Sequence, residues 1–179
     1  MTKVERENTV KTRERLRQEI ESTQAAFHRL LDALPEEALS LPSDNPAWNI
    51  RQVLYHIAII PRYMIIEVVM IRRQVWLYQL LPRLIPKGLF DWLNVRITRL
   101  GASRKSRQQL AEVYDRSCSA SLRALDSVDD ADFDKSLFYP LWDPLLAGHV
   151  TVEFLFGYVK RHFDSHVAQI ASIVQMKDE

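Results

Sequence analysis

Cysteine, glycine and net charge are all scarce in this chain, and each scarcity removes a class of explanation. The single cysteine, Cys118, excludes an internal disulfide and a cysteine-based zinc site. A reducing, cytoplasmic setting is therefore expected. Four glycines in 179 residues are few for a β-rich or loop-rich protein, which favours a helical fold. A net charge of +1 provides no field to recruit nucleic acid, and no nucleic-acid partner is expected. The polar opening MTKVERENTVKTRERLRQEI is not a secretory signal. Long uninterrupted apolar runs are lacking too. The most apolar stretch, residues 53–71, contains His56, Pro61, Arg62 and Glu67. It reads as a buried helix, and no stable membrane insertion is expected. There is no internal repeat and no low-complexity segment.

What is present is an ordinary globular mix, 47% hydrophobic and 26% charged, long enough for one domain over residues 1–179. Four main helices can be placed. The first runs over 9–34, with Leu16, Ile20, Phe27, Leu30, Leu31 and Leu34 at helical spacing and His28 on the flank. The second begins at Asn49, a good N-cap, with Gln52 completing a capping box and Trp48 placed to staple onto Val53. Pro61 predicts a kink or bulge just after His56, and the helix can extend toward Leu81. The third covers 106–128. Leu110, Val113, Ser117, Ala120, Ala124 and Val128 trace its inner face, and Cys118 reads as a small packed residue. The fourth is capped by Thr151, with Glu153 in its first turn, and runs to about 175.

Two connections carry too many apolar residues to be floppy. The first, 81–101, holds a short amphipathic helix over 89–100. Its simplest role is to close one end of the bundle; a lid, a dimer surface and a membrane-surface contact through Trp76, Tyr78 and Trp92 are the sharper ones. The second, 129–150, carries Phe138, Tyr139, Trp142, Leu145 and Leu146 and is expected to fold over the bundle, with His149 in a loop. Arg96, Arg99, Arg104, Lys105 and Arg107 form a basic cluster. It reads as a solvated face, or else as a partner for the carboxylates of an anionic small molecule such as a thiol cofactor.

The chemistry concentrates on the last helix. His162 and His166 are four residues apart, which puts both imidazoles on one face with Leu155, Tyr158, Val159, Gln169 and Ile173. Two ligands hold a divalent metal weakly, and His56 is the available third. The long first connection lets helices two and three run parallel, giving an up-down-down-up bundle in which helices two and four are antiparallel. At 1.5 Å per residue His56 then lies about 10 Å from the start of its helix, and the pair roughly 14–20 Å from the end of theirs. The levels agree to within about a turn. Three neutral imidazoles leave an open coordination position for water or substrate. The stretch HFDSH lacks the glutamate of the HExxH protease motif, which disfavours a zinc protease. Tyr63 and Glu67 lie further along the His56 face and are candidates for supporting or acid/base roles.

The segment Pro46-Ala47-Trp48-Asn49-Ile50-Arg51-Gln52-Val53-Leu54-Tyr55-His56-Ile57-Ala58 resembles the Trp-Ser-x-x-x-x-x-x-His-Leu segment of DinB/YfiT-like proteins. The closing His162-x-x-x-His166-x-x-Gln169-Ile170 resembles that family's terminal motif. Asn49 stands where the cap serine is usual and keeps the capping chemistry. The resemblance implies an all-α, up-down-down-up four-helix bundle with a Zn or Ni site ligated by His56, His162 and His166. It also implies a small-molecule substrate, thiol S-transferase, isomerase or hydrolase chemistry using a low-molecular-weight thiol or water, and a homodimer. The competing expectation is a non-catalytic interaction or dimerisation module whose histidines are structural.

Overall fold

The structure is a computed structural model that describes residues 3–73 and 85–170. Its described elements are mostly helical: α1 (Lys3–Ala33), α2 (Ile50–Arg72), α3 (Lys87–Ala102), α4 (Arg107–Ser127) and α5 (Val152–Val167). Short 3-10 turns cover Glu36–Ser40, Asp130–Asp132 and Ala168–Ile170. The expected extensions of helix two toward Leu81 and of helix four to residue 175 lie outside the described residues, as do Trp76 and Tyr78.

The helix starts are written locally. Asn49 accepts from the Gln52 backbone N–H at 3.0 Å, and Gln52 accepts from the Asn49 N–H at 3.0 Å, a complete capping box. Ser106 and Gln109 repeat the device at α4. Thr151 caps α5 by accepting from Phe154 N–H at 3.0 Å. Pro61 sits inside α2, which is one continuous helix from Ile50 to Arg72.

Four helices enclose the core. α1 and α2 each pack against α4 and α5. Leu16, Ile20, Phe27, Leu30, Leu31 and Leu34 of the first segment are all buried, as their spacing predicts. α2 is long and apolar enough to cross a membrane by length and composition alone, but it lines this core with Ile50, Val53, Leu54, Ile57, Met64, Val68 and Ile71. The inner face of α4 is a correction. It consists of Leu110, Tyr114, Ser117, Cys118, Ser121 and Leu125, whereas Val113, Ala120 and Ala124 are only half-buried. Tyr114 drives this rotation: its ring packs on Phe27 at 4.3 Å and buries far more surface than an alanine could. Cys118 is fully buried, and burial pushes its thiol up to about 12, so it is a packed residue and not a nucleophile.

The second connection departs from an all-helical fold. It forms an antiparallel hairpin, β1 (Ser136–Asp143) and β2 (Leu146–Thr151), with an irregular register between Tyr139 and Asp143. Its residues alternate as a strand's must: Leu137 and Tyr139 are buried and Phe138 is exposed. His149 is an exposed strand residue beside the Phe138 ring, not a loop residue. Gly148 takes a positive φ of 77°, where a side chain would be strained.

α3 is laid against α2. Gly101 makes that close approach feasible, since a Cβ there would stand 2.2 Å from the Tyr55 hydroxyl. The hairpin meets α3 through a stacked pair, Phe90 on Trp142, with ring centres 5.0 Å apart.

Replacing Asn49 by Ala removes half of the α2 capping box and is expected to cost about 1 kcal/mol, read as a lower urea midpoint with unchanged slope. An unchanged midpoint would mean that tertiary packing alone fixes the start of α2.

Candidate metal centre

The two capped helices set the positions of the histidines. Two turns inside α2, His56 turns inward and is 6% exposed. From α5, His162 meets it, 2% exposed, with the two Nε2 atoms 3.0 Å apart. His166, one turn further along, is half-buried, its ring centre 4.3 Å from that of His162 and 4.8 Å from that of His56. One ring nitrogen from each of the three lies within 4.8 Å of the others.

Neighbouring side chains hold each ring. The Trp48 ring lies 4.5 Å from His56, so this residue before the cap packs on the histidine itself. Thr98 of α3 is fully buried and places its hydroxyl 3.5 Å from His56 Nδ1. Gln169 Oε1 lies 3.0 Å from His166 Nδ1 and 3.2 Å from Asn45 Nδ2. An amide oxygen only accepts, so His166 carries its proton on Nδ1 and keeps the Nε2 lone pair for the cluster. Tyr158, one turn before His162, stands 5.3 Å from it, ring centre to ring centre.

Burial dominates the electrostatics. It lowers His56 to about 3, with the neighbouring His166 adding to the effect. His162 is lowered well below its usual value, first by burial and then by the other two imidazoles. His166 is lowered by burial, opposed by its bond to Gln169 and by Asp143. All three are therefore neutral at pH 7, the form in which imidazole ligates a metal. Two nitrogens on one tetrahedral zinc stand roughly 3.3 Å apart at bond lengths of about 2.0–2.1 Å. The observed spacing fits that donor set, and the three histidines could hold a metal ion.

Beside the imidazoles is a cavity of about 390 Å³, within the usual range for small-molecule sites. His56 and His162 line it, with Ile59, Ile60, Tyr63, Met64 and Glu67 continuing up the α2 face. The expected candidates Tyr63 and Glu67 are thus on the same cavity as the histidines. Tyr63 is 42% exposed, and Glu67 accepts a hydrogen bond from the Tyr139 hydroxyl of β1. α3 supplies Phe90, Leu93, Asn94 and Ile97, and the hairpin supplies Tyr139, Trp142, Asp143 and Leu146. The described part of the first connection is therefore a wall of the cavity.

Sequence reasoning missed Thr98, Asp143 and Tyr158 as site residues. Tyr158 had a signal, its i, i+4 relation to His162; Thr98 and Asp143 lie on elements whose packing no local pattern discloses. The basic cluster does not serve the site. Arg99 bonds the Ala47 carbonyl at 2.8 Å, Arg96 lies over Trp92, Lys105 over Tyr55, and Arg107 is 3.9 Å from Glu36. Of the five, none lines the cavity. His28 pairs with Asp115 at 2.7 Å on the half-exposed flank, away from the cluster.

The family model of the DinB superfamily matches residues 19–170, a span that includes all three histidines. No curated protein matches the chain.

Acid should destabilise the metal-free protein. The unfolded imidazoles take up protons near pH 6.5, whereas His56 resists until about 3, so the unfolded state binds more protons between these values. Stability is full above about pH 6.5 and falls as the pH drops toward 3, with a limiting slope of about 1.4 kcal/mol per pH unit for each such imidazole. Urea titrations of chelator-treated protein should give this slope, and His56→Gln should reduce it. A slope unchanged in the variant would contradict the burial argument.

Proposed function

Because the chain belongs to the DinB superfamily, we propose that it is a metal-dependent enzyme whose His56, His162 and His166 ligate Zn or Ni. The observation that carries this is the convergence of three imidazoles, neutral at pH 7, two of which, His56 and His162, line a cavity of small-molecule size. A divalent ion held there would supply Lewis acidity, polarising a thiol or a water so that a nucleophile exists near neutral pH. The reaction class is thiol S-transfer or hydrolysis.

The chain's own residues do the rest. Gln169 orients His166, and Thr98 and Trp48 flank His56. The apolar walls from α3 and the hairpin keep bulk water from the reacting atoms. Glu67, with the Tyr139 hydroxyl on it, and Tyr63 are positioned on the cavity to accept or relay a proton.

The same reading takes the long helices of a single domain in up-down-down-up order. Arg13, early in α1, bonds Asp130 just past α4, while Gln24 and His28 reach Asp115 nearer the start of α4. That supports an antiparallel α1 and α4. Arg15 pairs with Glu153 in the first turn of α5, which supports a parallel α1 and α5. His56 near the start of α2 meets His162 toward the end of α5, which supports an antiparallel pair.

A second reading, a homodimer, has its own support in the outer face of α3. Leu89, Trp92 and Leu100 are 46%, 57% and 67% exposed, a large apolar strip for a helix that already buries its other side. Light scattering on the eluting protein should give a dimer that Trp92→Glu converts to monomer; a wild-type monomer at every concentration would remove this reading.

The decisive measurement is metal content by plasma mass spectrometry, on protein purified without chelator or affinity metal. Stoichiometric Zn or Ni in wild type, lost in His162→Ala, is the expected result. Wild type that stays empty after reconstitution would leave a helical module with structural histidines.

A further inference from the structure

The cavity beside the histidines is biased in charge. Apart from the imidazoles its described lining is aliphatic and aromatic, with three tyrosines, Asn94 and two carboxylates, Glu67 and Asp143. Among the described residues no lysine or arginine lines it.

Asp143 is the better defined of the two carboxylates. It ends β1, at the turn of the hairpin, and both of its oxygens are anchored. Oδ1 accepts from the Leu145 backbone N–H at 2.7 Å, which locks the turn. Oδ2 accepts the Tyr158 hydroxyl, and that phenol is itself pushed up by burial and by Asp143, so it stays a donor. An ionised carboxylate offers about four acceptor sites, so two remain for something else. Among the described residues no lysine or arginine pairs with it. The carboxylate is thus fixed in direction and half-buried on an apolar cavity, with no cationic side chain paired to it among the described residues.

We propose that this cavity takes a mainly apolar small molecule bearing one protonated amine, and that Asp143 receives the amine. The inference deepens the preceding reading and rests on it for the cavity being the substrate site. An anionic group would meet Asp143 across a low-dielectric space, and among the described residues no lysine or arginine lines the cavity to offset that charge. A protonated amine would meet Asp143 in a charge-assisted hydrogen bond. The aromatic walls, Trp142 stacked on Phe90 and Tyr158 beneath, add attraction for a cation and area for an apolar body. Asp143 is accordingly a specificity-determining residue, acting on the substrate and not on the metal.

The test compares three probes of one shape: 4-phenylbutylamine, 4-phenylbutanol and 4-phenylbutyrate. Binding is measured by calorimetry at pH 7 on the full chain, as purified and after chelator treatment. The treated sample removes any metal that either an amine or a carboxylate could ligate. The ammonium should bind about tenfold or more tighter than the carboxylate, with the alcohol between them. Asp143→Asn keeps the Leu145 turn bond through its amide oxygen and should abolish the preference. Asp143→Ser, which can form the same turn, serves if that variant fails to fold. A carboxylate that binds as tightly as the ammonium in treated wild type overturns the proposal. So does an unchanged preference in a folded Asp143 variant, or no binding of any probe at millimolar concentration. Metal content read on the untreated samples keeps the two readings apart. Metal present with no amine preference overturns the ligand assignment alone, and amine preference with no metal overturns only the histidine reading.

Discussion

Three imidazoles cannot be buried side by side as cations. Each would lose its hydration and repel the other two, so the fold that encloses them fixes them as neutral bases. Neutral imidazoles still need partners for two nitrogens each, and the surrounding elements are arranged to supply them. The Thr98 hydroxyl comes from α3 and the Gln169 amide from the turn after α5, while the Trp48 ring, from the residue before the α2 cap, packs on the face of His56. The Nε2 atoms of His56 and His162 face each other at 3.0 Å. The bundle, the cover helix and the terminal turn can therefore be understood as what it takes to keep a cluster of bases dry and aimed.

The parts of this arrangement that were legible in the sequence are those set by local rules. Asn49 and Gln52 specify where α2 starts, which places His56 on a known turn. Thr151 does the same for α5 and the His162 pair. Spacing of four on a helix then decides that two imidazoles share a face. The histidine convergence needs only one further fact, the approach of two helices, and the matching levels of the histidines along α2 and α5 supply it.

What stayed hidden depends on packing between segments distant in sequence. The apolar content of 129–150 shows that this connection is ordered, but Pro140 and Pro144 interrupt its run and mask the strand pattern. The irregular register between Tyr139 and Asp143 is where the strand absorbs the interruption. Nothing local to Asp143 says that Tyr158 lies within reach of it. The face of α4 was misjudged for a related reason. Alanines and serines carry little periodic signal, and a single tyrosine placed against Phe27 outweighs them. The basic cluster shows the reverse: a conspicuous run of charge whose members face outward, onto a carbonyl, an indole and a phenol.

The cavity is walled by two kinds of chain. One half belongs to α2 and α5, the helices that carry the imidazoles; the other half belongs to α3 and the hairpin, which carry none. These halves sit under different constraints. A change in α2 or α5 disturbs the core and the cluster together, whereas cavity-facing positions such as Leu93, Asn94, Ile97 and Trp142 can change while the histidines stay put; Thr98 and Gly101, which hold α3 to α2, are the exceptions. Divergence of such a scaffold should therefore be uneven, with the histidine-bearing half held constant and the covering half acting as the replaceable part. A cavity of new shape would come from rewriting a helix and a hairpin, with the histidine cluster beneath them left as it is.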